Sequence, residues 1–435
     1  NPYTGNAYKD EPALIVVEMQ NESNLFFHTL NSLWERKPKL FSTTVRQGFC
    51  EFVKEKYGTK EAADAAWNGA WLGQDDWQGG ELTVAVPFHW GSDGPNHQYK
   101  GHPERVGDFI EYLSSIQRDY YERRYRDLRD LGFKGVIVTT AWKGVGASSL
   151  ANLWCDTVGD MIDRHNYMGG GAGRHRIAEG EVSTFSHLGN PGRGLLNLGL
   201  FQVADMPFGV SEWSMTPPAP YKAEAAPLFA FYGMGLQGWD ASYHFATSAK
   251  RMGSGWPNLG KYVSHTPHYM GQFPALAFAV YNDHVDEGDV VALRRVNRNQ
   301  VFSGRDELGQ SLGQGDHDYK KLGDRVATPP EFLGIGKVAL AFEEGDSEFR
   351  DPEKNWDREN KVLRSTTGQL VWHYGDRYVE VGSEKTQAVV GFAGGKTIEL
   401  PDVTVALDTR FVSLIFTPLD NRPLAESRQI LVTAM

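Results

Sequence analysis

Short runs of apolar, β-branched residues, each ending in polar or acidic side chains and separated by helical stretches, constrain this chain more than any other feature. Ala13 to Glu18 (ALIVVE), after Pro12 and before Gln20-Asn21-Glu22, is the first. It reads as a buried parallel strand, because strands covered on both faces are continuously hydrophobic rather than alternating. Gly135 to Thr140 repeats the pattern after the long stretch Val106 to Leu131, in which Phe109, Leu113, Ile116 and Tyr120 recur at helical spacing. Gly132 stands where a C′ glycine ends a helix. Helix, glycine and apolar strand together are the α/β alternation.

Three more units follow the same plan. Gly159 to Asp163 leads to Arg164-His165-Asn166-Tyr167, and Pro207 to Ser211 leads to Glu212-Trp213-Ser214. After a helix around Ala223 to Met234, Gly235 to Asp240 reads as one more strand, with Trp239 and Asp240 at its end. The stretch from Pro38 to Leu131 is helical, with a Gly-, Asp- and aromatic-rich loop from Gly73 to Gly101, so residues 26–131 form a long insertion.

Beyond about Val263 the alternation breaks. Runs such as Val290 to Leu293, Val338 to Phe342, Thr386 to Phe392, Val403 to Val405 and Phe411 to Phe416 alternate with Gly, Asp and Pro turns, the pattern of an antiparallel sandwich. Ser303 to Asp324 reads as a loop or mobile insertion. At 435 residues two domains are expected. The expected division is 1–262, α/β, and 263–435, β-rich.

The formal charge of −11 disfavours nucleic acid and anionic membrane surfaces, since neither is met without a basic face; a polyanionic substrate would need a local basic pocket. No run of eighteen apolar residues is present to span a bilayer. Cys50 and Cys155 fit neither a disulfide framework nor a zinc site and read as two free buried thiols. Aromatic residues reach 12%, with 12 Trp and 18 Tyr, a surplus suited to the flat faces of sugars. The sequence opens on Asn1, so a signal peptide is not observable.

In parallel α/β architectures the carboxyl ends of the strands face the ligand, which makes Glu22 and Glu212 candidates for one site. Two carboxyls flanking a glycosidic bond are what glycoside hydrolysis requires: one protonated to meet the leaving oxygen, the other ionised to attack the anomeric carbon. A single strand-end Glu is just as compatible with a helix cap or an Arg partner.

The pair Asn21-Glu22 after one apolar strand and Ser211-Glu212-Trp213 after a later one resembles the superfamily of retaining (β/α)8-barrel glycosidases that contains the cellulase-like enzymes and the barrel β-galactosidases. The resemblance implies a TIM barrel with Glu22, after strand four, as acid/base and Glu212, after strand seven, as nucleophile. Thr140 and Asp163 then end strands five and six, and Leu236 to Trp239 is strand eight. It further implies that Asn21 bonds the sugar 2-hydroxyl, that Trp239 is the sugar platform, and that Tyr167, or else His165, orients the nucleophile. Lys54 to Trp67 (KEKYGTKEAADAAW) resembles a helix of the β-galactosidase-like members, and Gly368 to Trp372 with Leu419 to Leu431 resembles the terminal β-domain of cellulase-like proteins. Counting Ala13 to Glu18 as strand four leaves strands one to three unaccounted for. The resemblance therefore implies an N-terminally incomplete barrel, or one completed by another polypeptide.

Other candidates carry two readings each. Trp142, Trp213 and Trp90 are either sugar-stacking residues or packing. Asp163 and His165 bind sugar hydroxyls, form a metal pair, or simply bond each other at the rim, the last being commonest; no metal or cofactor is expected. Asp240 holds a rim residue or a sugar hydroxyl. Gly169 to Arg174 lacks the Lys-Ser/Thr of a phosphate loop and reads as a lid, beside a basic Arg174-His175-Arg176. The expected function is hydrolysis of β-linked glycosides, in a secreted or periplasmic protein. A non-catalytic carbohydrate-binding protein and a metal-dependent barrel hydrolase are the alternatives.

Overall fold

A computed structural model describes residues 1–26, 39–84, 102–144, 146–169, 184–216, 219–246, 262, 266–308 and 328–435. By their contacts they fall into two units: Asn1–Asp163 with Arg295–Ala327 and Phe342–Gly345, and Arg164–Arg294 with Thr328–Ala341 and Asp346–Met435. The fold is mixed α/β, with parallel pairs of strands and a separate antiparallel sheet.

In the first unit β1 (Val16–Gln20) pairs in parallel with β2 (Val136–Thr140), Val16 opposite Val136 and Gln20 opposite Thr140. A parallel pair needs a long crossover. Here it contains α1 (Lys39–Tyr57), α2 (Lys60–Ala66) and α3 (Pro103–Asp130). β2 is largely buried, as expected, but every residue of β1 keeps partial exposure.

Helix α3 opens with proline at its first turn, where a missing N–H costs nothing. It closes in a Schellman motif: Phe133 N donates to Leu128 O (3.1 Å) and Gly132 N to Arg129 O (2.8 Å), with Gly132 at φ +93°. Its buried stripe runs through Phe109, Leu113, Gln117 and Tyr121, so Ile116 is 41% exposed, contrary to the expected spacing. A polar residue takes the inner position because Gln117 Oε1 accepts from Leu25 N at 2.8 Å. Asp108 in the same helix accepts from Lys56, Tyr57 and the indole of Trp67. Arg105 grips Asp75 through both guanidinium nitrogens, at 2.6 and 2.9 Å. Cys50 and Cys155 are free and buried.

The second unit holds a sheet of order β3-β4-β5, with β3 at Ile162–Gly169, β4 at Phe208–Thr216 and β5 at Ala241–His244; β4 and β5 are parallel. Two expectations are corrected here. Arg164 to Tyr167 and Glu212 to Ser214 lie inside β3 and β4 rather than beyond them, since alternation along a strand accommodates polar residues on one face. The run Gly235 to Asp240 is not a strand. Phe229–Leu236 is a π-helix, continuous with an α-helical turn at Ala225–Leu228, and the chain then turns at Gly238 (φ +66°) into β5. A short apolar run suits a buried helix as well as a buried strand.

β6 (Val290–Arg295), β7 (Lys337–Ala341) and β8 (Glu348–Phe349) make a three-stranded sheet of their own. The antiparallel sheet then forms from β9 (Trp356–Asp357), β10 (Val362–Arg364), β11 (Leu370–His373), β12 (Tyr378–Gly382), β13 (Gln387–Gly391), β16 (Val412–Pro418) and β17 (Ile430–Ala434). Its order is β17-β16-β13-β12-β11-β10-β9. The hairpin of β14 (Thr397–Glu399) and β15 (Thr404–Ala406) covers one face, where Ile398, Leu400 and Val405 pack with Val389 and Tyr378. No helix among the described residues is long and apolar enough to cross a membrane.

Candidate functional site

In the second unit, the register between β4 and β5 slips between Val210, opposite Ser242, and Trp213, opposite His244. Ser211 and Glu212 therefore face one residue, Tyr243, in a β-bulge, a device that re-aims side chains. Both residues meet the same imidazole. His165 Nε2 lies 2.8 Å from Ser211 Oγ, and His165 Nδ1 lies 3.5 Å from Glu212 Oε2. His165 is buried while Glu212 keeps 20% of its side chain exposed.

Alternation along β3 puts His165 and Tyr167 on one face. The Tyr167 hydroxyl donates to Glu212 Oε2 in a short hydrogen bond. Arg164 and Asn166 turn the other way, Arg164 over the ring of Phe201 and Asn166 Nδ2 to Gly194 O. The Tyr167 ring meets Phe245 and Tyr262, with centroids 5.9 and 4.7 Å away.

Trp213, Trp239 and Asp240 are placed elsewhere. Trp213 is 1% exposed, stacked on Phe229 at 4.3 Å and bonded through its indole nitrogen to Ser242 Oγ. Trp239 is 2% exposed between Phe208 and Phe229, ahead of β5 rather than after it. Asp240 exchanges hydrogen bonds with the backbone of Phe208, at the entry of β4, the far end of the strand pair from His244. Sequence reasoning placed Ser211 beside Glu212 but missed its contact with His165, and it missed Phe245 and Tyr262. Phe245 is legible in principle as the aromatic just past β5.

Behind β4 sits a basic group. Lys222 is buried, with Nζ 4.4 Å over the ring of Tyr269, whose hydroxyl bonds both N and O of Met215. Burial lowers this ammonium to about 7. His244, 4.2 Å from the Tyr269 ring, is lowered to about 3 by burial and then by the Lys222 charge; His268 is lowered to about 4 by the same causes.

In the first unit, Asn21 is exposed and Glu22 half-buried in the turn directly after β1, Glu22 in the left-handed region at φ +43°. Glu18 Oε1 accepts from Ala141 N and Asn24 Nδ2 donates to Trp142 O, so the carboxyl ends of β1 and β2 are tied together. Glu22 and Trp142 thus stand at the same end of that parallel pair. Trp90 and Arg174 to Arg176 lie outside the described residues, as does most of the expected glycine lid. In comparisons with protein-family models and with curated proteins, nothing matches this chain.

Proposed function

We propose that the chain is a retaining hydrolase of β-linked glycosides, with Glu212 as nucleophile and Glu22 as acid/base. The setting of Glu212 carries this reading: a bulge turns its carboxyl toward a fixed tyrosine and a buried histidine, both on Oε2. A carboxylate oriented through one oxygen offers the other, Oε1, for attack on an anomeric carbon.

Glu22 hands its proton to the departing oxygen as the glycosyl ester forms on Glu212. It then takes a proton from water as the ester is hydrolysed. Retention by this route goes with carboxyls about 5–5.5 Å apart. Asn21, Trp142, His165 and Tyr167 remain the sugar-binding candidates. Phe245 takes the place first given to Trp239, and the burial of Trp213 and Trp239 favours packing for both.

On this reading β1 to β5 are strands four to eight of a (β/α)8 barrel, and residues 263–435 form the β-sandwich domain. The parallel pairings and the helices between them support it. A secreted or periplasmic location goes with the substrate class.

Aryl β-glycosides test the reading. Glu212→Ala abolishes turnover and azide restores it in part with inverted product, whereas Glu22→Ala spares substrates with good leaving groups. Wild-type rates from both variants would remove the assigned roles. Sugar binding with no hydrolysis of any aryl glycoside would favour the non-catalytic binder.

A further inference from the structure

The crossover between β1 and β2 carries a row of three tryptophans that the proposed mechanism does not use. Trp67 is fully buried, its indole nitrogen donating to Asp108 at 2.7 Å. Trp71 follows with its ring centroid 5.2 Å away, then Trp77 at 5.9 Å from Trp71 and nearly perpendicular to it, at 83°. Trp71 and Trp77 are both half-buried, so the row runs from core to surface. Lys60 Nζ lies 4.9 Å over the ring of Trp71, and Lys54 Nζ 5.4 Å over that of Trp77. The indole N–H of Trp71 is buried and has no acceptor among the described residues. Buried donors are nearly always paired, so an orphan beside a half-open aromatic surface points to a ligand oxygen.

We propose that Trp71 and Trp77, with Lys54 and Lys60, bind a neutral oligosaccharide. The proposal rests on the reading of this protein as acting on carbohydrate. Indole faces receive the apolar C–H faces of pyranose rings, while the Trp71 N–H and the two ammonium groups supply donors for hydroxyl oxygens. Lys60 is exposed and Lys54 half-buried, and a lysine held over an indole at the surface is weakly bound and yields to such a ligand. A polyanion is disfavoured. Lys54 and Lys60 are adjacent in sequence to Glu55 and Glu61, with Glu51, Asp64 and Asp76 nearby along the chain, so no net positive charge gathers there.

The test uses the full chain carrying Glu212→Gln, so that binding is read without turnover. Tryptophan fluorescence and affinity electrophoresis are followed with neutral hexasaccharides of glucose, galactose, mannose and xylose, and with an acidic uronate hexasaccharide. The expected result is binding of at least one neutral chain, weakened tenfold or more by Trp77→Ala and by the pair Lys54→Met and Lys60→Met. Melting temperatures of these variants should be unchanged. Neutral-chain binding that survives Trp77→Ala overturns the proposal, as does binding of the uronate alone or of no hexasaccharide. Because the wild-type chain is assayed separately for aryl glycoside hydrolysis, failure of the tryptophan row is distinguishable from failure of the glycosidase reading.

Discussion

The Tyr167 hydroxyl donates to Glu212 Oε2, and the ring that carries it is braced by Phe245 and Tyr262. A phenol packed against two neighbouring rings, themselves in contact at 5.6 Å, is restrained from swinging toward them and away from its carboxylate. It therefore sets the direction of the carboxyl.

Tyr167→Phe keeps the aromatic packing and removes only the donor. A hydrogen bond to a charged acceptor contributes about 1.5–3 kcal/mol, so kcat/KM for an aryl β-glycoside should fall roughly 10- to 150-fold. A rate equal to the wild type would mean that Tyr167 acts through packing alone.

Lys222 makes a prediction about stability rather than rate. Its ammonium is lowered from 10.5 to about 7 by burial. Between those values the unfolded chain holds a proton that the folded chain has released, so this residue makes stability rise with pH across the window. Its full penalty is present below about pH 7. At about 1.4 kcal/mol per pKa unit the penalty is a few kcal/mol, less the ~0.5–2 kcal/mol returned by the face of Tyr269. Lys222→Met should therefore gain most over the wild type near pH 6, with the gain fading toward pH 10. Urea midpoints at the two pH values decide it.

His244 acts on the acid side. Both its ring nitrogens are buried without partners among the described residues, and its imidazolium is disfavoured down to about pH 3 by burial and by the Lys222 charge. Between the ordinary value of 6.5 and about 3 the unfolded state binds the extra proton, so stability falls as pH drops. By pH 4.5 this residue should account for roughly 2–3 kcal/mol of the loss. His244→Phe should show a correspondingly smaller drop in Tm between pH 6.5 and 4.5. An identical drop in the variant would place the acid sensitivity elsewhere.

Much of the fold was legible because single residues had single physical meanings. Gly132 marks the end of α3 since few other residues adopt φ +93°, and the β-branched run at Val136 has no helical alternative of comparable length. In the seven-stranded sheet, β13 and β16 were legible as the apolar runs Thr386 to Phe392 and Phe411 to Phe416 between turn residues, whereas its other five strands were not singled out. What escaped the sequence shares one cause, tertiary context. A bulge at Ser211 and Glu212 leaves no mark in hydropathy, yet it decides which way the carboxyl points. Gly235 to Trp239 is apolar enough for either a helix end or a strand, and packing of Trp239 between Phe208 and Phe229 settled it. Nothing in Ala219 to Pro227 announces that Lys222 is buried and Glu224 more so.

Glu224 is fully buried and accepts from Ser186 Oγ at 2.7 Å, from His187 N at 2.6 Å and faces His187 Nδ1 at 3.0 Å. It pins the turn at His187–Gly189, whose Leu188 carbonyl in turn accepts from the indole of Trp372 at 2.8 Å. Glu224→Ala strands these donors in the interior and should cost about 3–5 kcal/mol, since each buried donor left unpaired costs about 1–3 kcal/mol. Ser186→Ala removes one donor and leaves the rest, at about 1 kcal/mol. Glu224→Gln keeps the shape and one acceptor oxygen but replaces the other by an amide nitrogen, so its denaturant midpoint should fall between those of the other two variants. A midpoint equal to the wild type would mean that one oxygen is enough to hold the turn.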